Sequence, residues 1–328
     1  MVYVGMDVHR KRTQLAVVDD AGEEVFNRNF SHAAGELQKT LAGLEAGTSV
    51  ALEAAYGWGW VTDLLEDLGL EAHLAHPSNC KAIASARLKN DKVDARTLAH
   101  LLRADLLPEA WIAPREVREL RQLVRHRAML VRQSTGLKNR IHAVLADHGV
   151  ILDGAHRSIW SGPGRSVLAD IELPAASRVT VDHCCVVIDE IRSLVDELTK
   201  ELRGLAKKDA RIVRLKTVPG IGDIVATTVV AEIGDISRFG SARKLCSWAG
   251  LVPAVRASDR KVHHGHITKQ GSTWLRHAMV EAAQVAKTRP PYIGPYRAIA
   301  HRRGNHIATV AIARKLLARC FYVLRDEQ

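Results

Sequence analysis

Four carboxylates in the first hundred residues stand where acidic side chains are uncommon. Asp7 interrupts the apolar run Val2–Val8, and Glu53 follows the apolar run Thr48–Leu52. Asp91 and Asp94 lie at i and i+3 at the start of a helical pattern, so they share a face. Gathered at one point, such groups repel unless a divalent cation neutralises them. Hard oxygen ligands at that density select Mg²⁺ or Mn²⁺. Two such ions can activate a nucleophile and stabilise a leaving oxygen in phosphoryl transfer. Taken singly, each acid has an ordinary explanation. Asp7 can be a hydrogen-bonded strand residue, Asp91 a helix N-cap with Asp94 in its first turn, and Glu53 a partner of Arg12 or Lys92. Metal chemistry is the joint reading, and it needs a fold that brings the four together. Asp105, just past the same helix, reads as surface.

The elements that would do so are legible. Val2–Val8 and Thr13–Val18 are rich in β-formers, Asp19–Gly22 is turn chemistry, and Glu24–Phe30 is a third strand run. Leu37, Leu41 and Leu44 give Ala33–Leu44 a helical period. Then follow a strand over 48–52, a helix over 60–68, a strand over 71–75, and helices over 77–86 and 91–102, with Pro108 closing the last. The order β-β-β-α-β-α-β-α, meander first, is the layout of an RNase H-like α/β domain. In it the first strand, the fourth strand and the last helix meet at one edge.

The chain has 328 residues, 47% hydrophobic and 25% charged, which excludes global disorder and calls for more than one structural unit. No apolar run reaches about 18 residues, so no membrane span is expected. The short apolar start followed by HRKR is the reverse of a secretory signal, which makes a cytoplasmic location the default. Five cysteines without CxxC spacing read as reduced thiols, neither disulfides nor a zinc site. The net charge of +11 is unevenly spread, at −5 over 1–112, +6 over 113–253 and +10 over 254–328. So basic a carboxyl-terminal part suits a polyanion such as nucleic acid, though a solvated basic surface explains charge alone equally well.

These shifts suggest three parts: 1–112, a helical region over 113–208, and a mainly α part over 209–328. Arg115–Asp147 is a long arginine-rich helical pattern and Val181–Leu205 a second, with near-heptad leucines in the first. They form either a coiled-coil arm or dimer contact, or a plain helical hairpin packed on the body. Gly149–Ala176 between them reads as a loop. Pro219-Gly220-Ile221-Gly222 reads as a tight turn, with Asp223 able to cap the following helix. Gly220 and Gly222 would let backbone N–H groups hold a phosphate, as in a helix-hairpin-helix turn, although such a turn is often only a turn. Ser241 reads as the N-cap of the next helix, and Trp248 and Trp274 as core.

The stretches GMDVHRK, ALEAAYGWG and KNDKVDARTLAHLL resemble the amino-terminal domain of the insertion-sequence-110 family of transposases. VPGIGDIVATTVVAEIGDISRF and the segment from Ser241 to Gln284 resemble that family's carboxyl-terminal domain. Piv-like DNA invertases are close relatives. The resemblance implies a RuvC-like domain whose DEDD tetrad, matched here by Asp7, Glu53, Asp91 and Asp94, binds Mg²⁺. It implies a serine nucleophile in a Ser-x-x-Lys-x-x-x-Gly-x-Ile-[Ser/Thr]-Lys-x-Gly stretch, matched here from Ser258 to Gly271. Where the family often has Ser-Gly, this chain has Ser258-Asp259. The resemblance further implies recombination of donor and target DNA guided by a structured non-coding RNA. It also implies a homo-oligomer, dimer or tetramer, in which acids and serine can come from different subunits.

Attack by a serine hydroxyl on a phosphodiester would give a covalent phosphoserine and conserve the ester for rejoining. Arg256, Arg260 and Lys261 flank Ser258 and would grip the phosphate. His263, His264, His266 and Lys269 lack zinc-site spacing and suit phosphate contact, proton transfer or a solvated loop. Two other readings compete. A metal-dependent junction-specific or RNA-directed endonuclease would use water in place of Ser258. A non-catalytic nucleic-acid-binding protein would need only the basic part and the Pro219–Gly222 turn.

Overall fold

The computed structural model describes residues 1–32, 35–83, 90–151, 159–160, 162–258 and 261–327. They form two compact units, Met1–Arg115 and Glu116–Gln328.

In the first unit, β1 (Val2–Val8), β2 (Arg12–Asp19) and β3 (Glu24–Ser31) form an antiparallel meander. β4 (Ser49–Glu53) and β5 (Glu71–Ala75) extend it in parallel, giving the order β3-β2-β1-β4-β5. One face buries Val4, Met6, Leu15, Val17, Val50 and Leu52 beneath α1 (Glu36–Ala42) and α2 (Trp58–Asp67). The other face carries α3 (Pro77–Ile83) and α4 (Asp91–Arg103), with Ala51, Ala75 and Leu98 in its core. Because strand side chains alternate, the residues pointing toward α4 from β1 are Gly5 and Asp7.

Gly5 decides how close α4 comes. A Cβ at that position would lie 2.0 Å from the Ala95 carbonyl oxygen and 2.6 Å from the Ala99 nitrogen. Ala95 and Ala99, one turn apart on α4, are themselves fully buried. Three small residues thus bring the helix backbone directly onto the strand. Asn90 caps α4 by accepting from the Val93 N–H at 2.9 Å. Asp91 is therefore a first-turn residue and not the cap. Asn27 on β3 donates to the Lys92 carbonyl at 3.1 Å and accepts from Gln14 at 2.7 Å, which anchors the start of α4 to the sheet.

In the second unit, α5 (Arg115–Asp147) and α7 (Ala175–Lys208) run antiparallel, with Arg127 donating to Thr199 at 2.8 Å. Val124 and Leu202 pack with Ala231 at one end, and Ile141 and Leu145 with Val181, Cys184 and Ile188 at the other. The segment expected to be loop contains α6 (Gly162–Asp170), whose Gly164 and Leu168 are buried. α7 also starts earlier than its sequence pattern, directly after Pro174. The remaining core holds α8 (Ala210–Leu215), α9 (Asp223–Ile233), a 3-10 turn at Ile236–Arg238, α10 (Ala242–Trp248), α11 (Thr273–Ala286), α12 (Ile293–Arg303) and α13 (Asn305–Arg325). Ser241 caps α10 as expected, 3.3 Å from the Lys244 nitrogen. Asp223 does not cap α9. Gly222 occupies that position, and the Asp223 carboxylate pairs with Lys216 at 2.6 Å. β6 (Pro253–Ser258) and β7 (Lys261–Ile267) add an antiparallel hairpin to this mainly helical unit.

The end of α9 is built around an ion pair between a buried acid and a partly exposed arginine. Glu232 is 2% exposed and receives two bonds from Arg125, at 2.7 and 2.8 Å. Arg121 donates to the Ala231 and Glu232 carbonyls, and Arg238 to that of Ile233. Three guanidiniums thus serve the helix end where the dipole is negative. Burial, aided by repulsion from Arg121, pushes Arg238 down to about 10. Removing Glu232 deletes two charge-assisted hydrogen bonds to a partly exposed Arg125, so Glu232→Ala is expected to cost about 2 kcal/mol, read by urea unfolding. A loss below about 1 kcal/mol would show that Arg125 rehydrates freely.

Three cysteines (184, 246 and 320) are buried and two (80 and 185) partly so, all as free thiols. Among the described residues no helix is long and apolar enough to cross a membrane.

Candidate catalytic centre

The carboxyl ends of β1 and β4 lie side by side. Met6 pairs with Leu52, so the next residues, Asp7 and Glu53, end adjacent parallel strands on the face that carries α3 and α4. α4, seated on Gly5, brings its first turn to the same edge. The result is a cluster of Asp7, His9 and Asp91, whose ligand atoms lie within 4.8 Å of one another. His9 Nε2 is 3.2 Å from Asp7 Oδ2 and 3.4 Å from Asp91 Oδ1. Arg12 Nη2 donates to Asp91 Oδ2 at 3.0 Å.

Asp7 is the most enclosed of the three, at 17% side-chain exposure against 35% for Asp91. Burial raises its carboxyl above the ordinary range; His9 opposes the rise, while Asp91 and Asp94 add to it. The ionised form of Asp7 is therefore disfavoured unless a positive charge offsets it. Carboxylate oxygens with one imidazole nitrogen fit Mg²⁺ or Mn²⁺, the latter being the more tolerant of nitrogen.

Asp7 and Asp91 are thus brought together, and Asp94, one turn further along α4, is close enough to act on Asp7 through charge. Glu53 is on the neighbouring strand end and outside the tight cluster; its charge reaches Cys80 on α3. The Arg12 pairing considered for Glu53 goes to Asp91 instead. His9 was not anticipated, although it follows Asp7 by two residues and so points the same way from an extended chain. Asp105 is exposed, as expected.

The second set of candidates is on the hairpin. Ser258 ends β6 and pairs across the strands with Lys261, and Arg256 pairs with His263. The side chains of Arg256, Ser258, Lys261 and His264 lie outside the described residues, as do Asp259 and Arg260 altogether. Lys269 stands exposed in a left-handed turn (φ 56°) after β7. Arg276 holds that turn by donating to the carbonyls of Ala249 (3.1 Å), Gln270 and Gly271 (3.2 Å). Gly220 has a packing role, because a Cβ there would meet the Ala282 carbonyl at 2.4 Å, with φ at 86°. Gly222 faces open space at the head of α9.

Comparison with known proteins covers both units. Residues 4–149 match the DEDD transposase family of IS110, and residues 213–297 match the transposase IS116/IS110/IS902 family. The chain is 26% identical to the transposase for insertion sequence element IS1111A of Coxiella burnetii, over 95% of this chain and 86% of that one. It is 27% identical to a probable family 20 transposase of Pseudomonas aeruginosa, over 95% and 93%. It is 24% identical to an uncharacterized protein of insertion element IS116 of Streptomyces clavuligerus, over 100% and 95%.

Proposed function

The chain is a DNA transposase of the IS110 family, and we propose that it acts as a site-specific recombinase that cuts and rejoins DNA through a phosphoserine at Ser258. The observation that carries this reading is the meeting of Asp7, His9 and Asp91 at the strand edge, with Asp94 and Glu53 beside them.

Asp7, Asp91 and Asp94, with Glu53, would hold Mg²⁺ or Mn²⁺. A bound cation of this kind neutralises phosphate charge and favours the ionised form of an attacking hydroxyl. In the proposed step Ser258 Oγ attacks the scissile phosphorus. The Oγ–P bond forms as the P–O bond to the departing strand breaks, and the serine proton passes by way of a nearby base to the departing sugar oxygen. Arg256, Arg260 and Lys261 offset the charge that builds on the phosphorane. Rejoining reverses the step with a different strand end.

A structured guide RNA pairing with donor and target DNA would supply sequence choice, and the +10 charge over 254–328 supports a polyanionic partner. Exposed Val179 and Val186, and Val187 and Leu194, repeat at seven-residue spacing along α7 and support a homo-oligomer built on that helix. The proposed location is the cytoplasm, where element DNA and its transcript are both present.

The test is to incubate the protein with donor DNA, target DNA, guide RNA and Mg²⁺ and to resolve the products under denaturing conditions. A protein–DNA adduct is expected, absent in Ser258→Ala. An adduct that survives Ser258→Ala contradicts the nucleophile. Cut ends free of protein would point to hydrolysis by water.

A further inference from the structure

At the base of the β6–β7 hairpin, one face of α13 lines a groove of about 710 Å³. Its floor is aliphatic. Ile307, Val310, Ala311 and Ala318 follow one another at helical spacing on α13, and Ile267 of β7 faces them with Leu251. Its rim carries four cations and two imidazoles: His266 and Lys269 on the hairpin side, Arg303 at the end of α12, and His306, Arg314 and Lys315 on α13. No acidic residue lines it. Among the described residues none of these six makes an ion pair, whereas Arg121, Arg125 and Arg238 are committed to the end of α9.

Clustered cations without counter-charge repel one another and weaken the fold, so their natural complement is an anion. An aliphatic floor beneath them asks for a ligand that is apolar between its charges. A nucleic-acid strand has this character, with phosphates along one edge and bases on the other. In a duplex the bases are stacked and paired and cannot enter such a groove; unpaired ones can. The flat guanidiniums of Arg303 and Arg314 and the imidazoles of His266 and His306 are suitable stacking partners. α13 also begins at Gly304 with no side-chain cap, leaving its first N–H groups beside Arg303 and His306 for a phosphate. The aliphatic floor offers a 2′-hydroxyl no hydrogen-bond partner, so a deoxyribose methylene suits it better than a ribose.

We propose that this groove binds a short unpaired stretch of DNA. The proposal rests on the family's DNA substrate but not on Ser258 as nucleophile. The groove lies at the opposite end of β6 from Ser258, about 17 Å along the strand. It would therefore hold DNA opened away from the point of cutting.

The test uses the full chain in EDTA, with binding of labelled oligothymidylate followed by anisotropy across a salt series. Arg303, Arg314 and Lys315 are exposed, so their combined replacement by alanine is compatible with folding, checked by thermal melting. Loss of three phosphate contacts is expected to weaken binding at least about 10-fold and to reduce the log–log salt slope by about 2. Ala311→Trp fills the floor without changing charge. It should weaken oligothymidylate binding while leaving the salt slope, and the binding of duplex or of an abasic strand, as in the wild type. An unchanged slope in the triple variant, or equal loss for duplex in Ala311→Trp, overturns the proposal. Oligouridylate binding as tightly as oligothymidylate overturns the assignment to DNA. Ser258→Ala should bind like the wild type, so this result and the adduct result are read separately.

Discussion

Gly5→Ala is expected to lower strand cleavage about 100-fold and to cost about 3 kcal/mol of stability. The new Cβ would sit 2.0 Å from a backbone carbonyl of α4, and no rotamer change can relieve a clash between backbone and Cβ. The helix must retreat by about 1 Å or more to restore van der Waals contact. Asp91 and Asp94, in the first turn of that helix, retreat with it and leave Asp7 and His9 behind. The two effects separate experimentally. Cleavage measured well below the variant's melting temperature should still be low, because the acids are misplaced in the folded state. Gly136→Ala is the control: Gly136 is exposed in the middle of α5 with nothing within 4 Å of its added Cβ, and the substitution should stabilise by about 0.5–1 kcal/mol. Normal cleavage by folded Gly5→Ala would show that the position of α4 does not set the activity.

Asp7→Asn is expected to reduce cleavage by about 10³-fold or more, yet to raise the melting temperature in EDTA. The carboxyl of Asp7 is raised by burial and by Asp91 and Asp94, so the folded protein binds its proton more tightly than the unfolded chain does. The unfolded chain therefore loses that proton first as pH increases. Between the ordinary Asp value, about 3.9, and the higher folded value, wild-type stability falls with rising pH, then levels off. Asn carries no such penalty. The advantage of Asp7→Asn should thus be absent at low pH, grow through that window and persist above it. A divalent cation should reverse the ranking, since it stabilises only the chain that binds it. If Asp7→Asn melts lower than the wild type in EDTA at neutral pH, the ionised form of Asp7 is not disfavoured.

Much of the first unit is readable from residue pattern. β1, β5 and α5 have the bounds that alternation and helical period give them, because a half-buried strand and an amphipathic helix record their surroundings in every residue. α6 is hidden because it opens with Gly162-Pro163-Gly164, breaker chemistry by composition, and its helix depends on burial of Leu168 among residues from α5 and α7. The β6–β7 hairpin is hidden by charged residues and histidines in place of β-formers. At the strand edge, the acids announce themselves, since an Asp within an apolar run is conspicuous. His9 does not, because a reading based on carboxylates alone passes over an imidazole on the same face. The role of Gly5 cannot be read locally at all, since it depends on a helix that begins some eighty residues later. The basic lining on α13 is likewise scattered along a helix whose apolar positions dominate its pattern.

The central claim is that Asp7, Asp91 and their neighbours hold a divalent cation, and Mn²⁺ binding tests it most directly. The free ion can be titrated against wild type, Asp7→Asn and Asp91→Asn by electron paramagnetic resonance, with circular dichroism confirming that each variant is folded. Saturable binding by the wild type, lost or weakened at least about 10-fold in both variants, is the predicted result. Indistinguishable Mn²⁺ binding by all three folded proteins would contradict it.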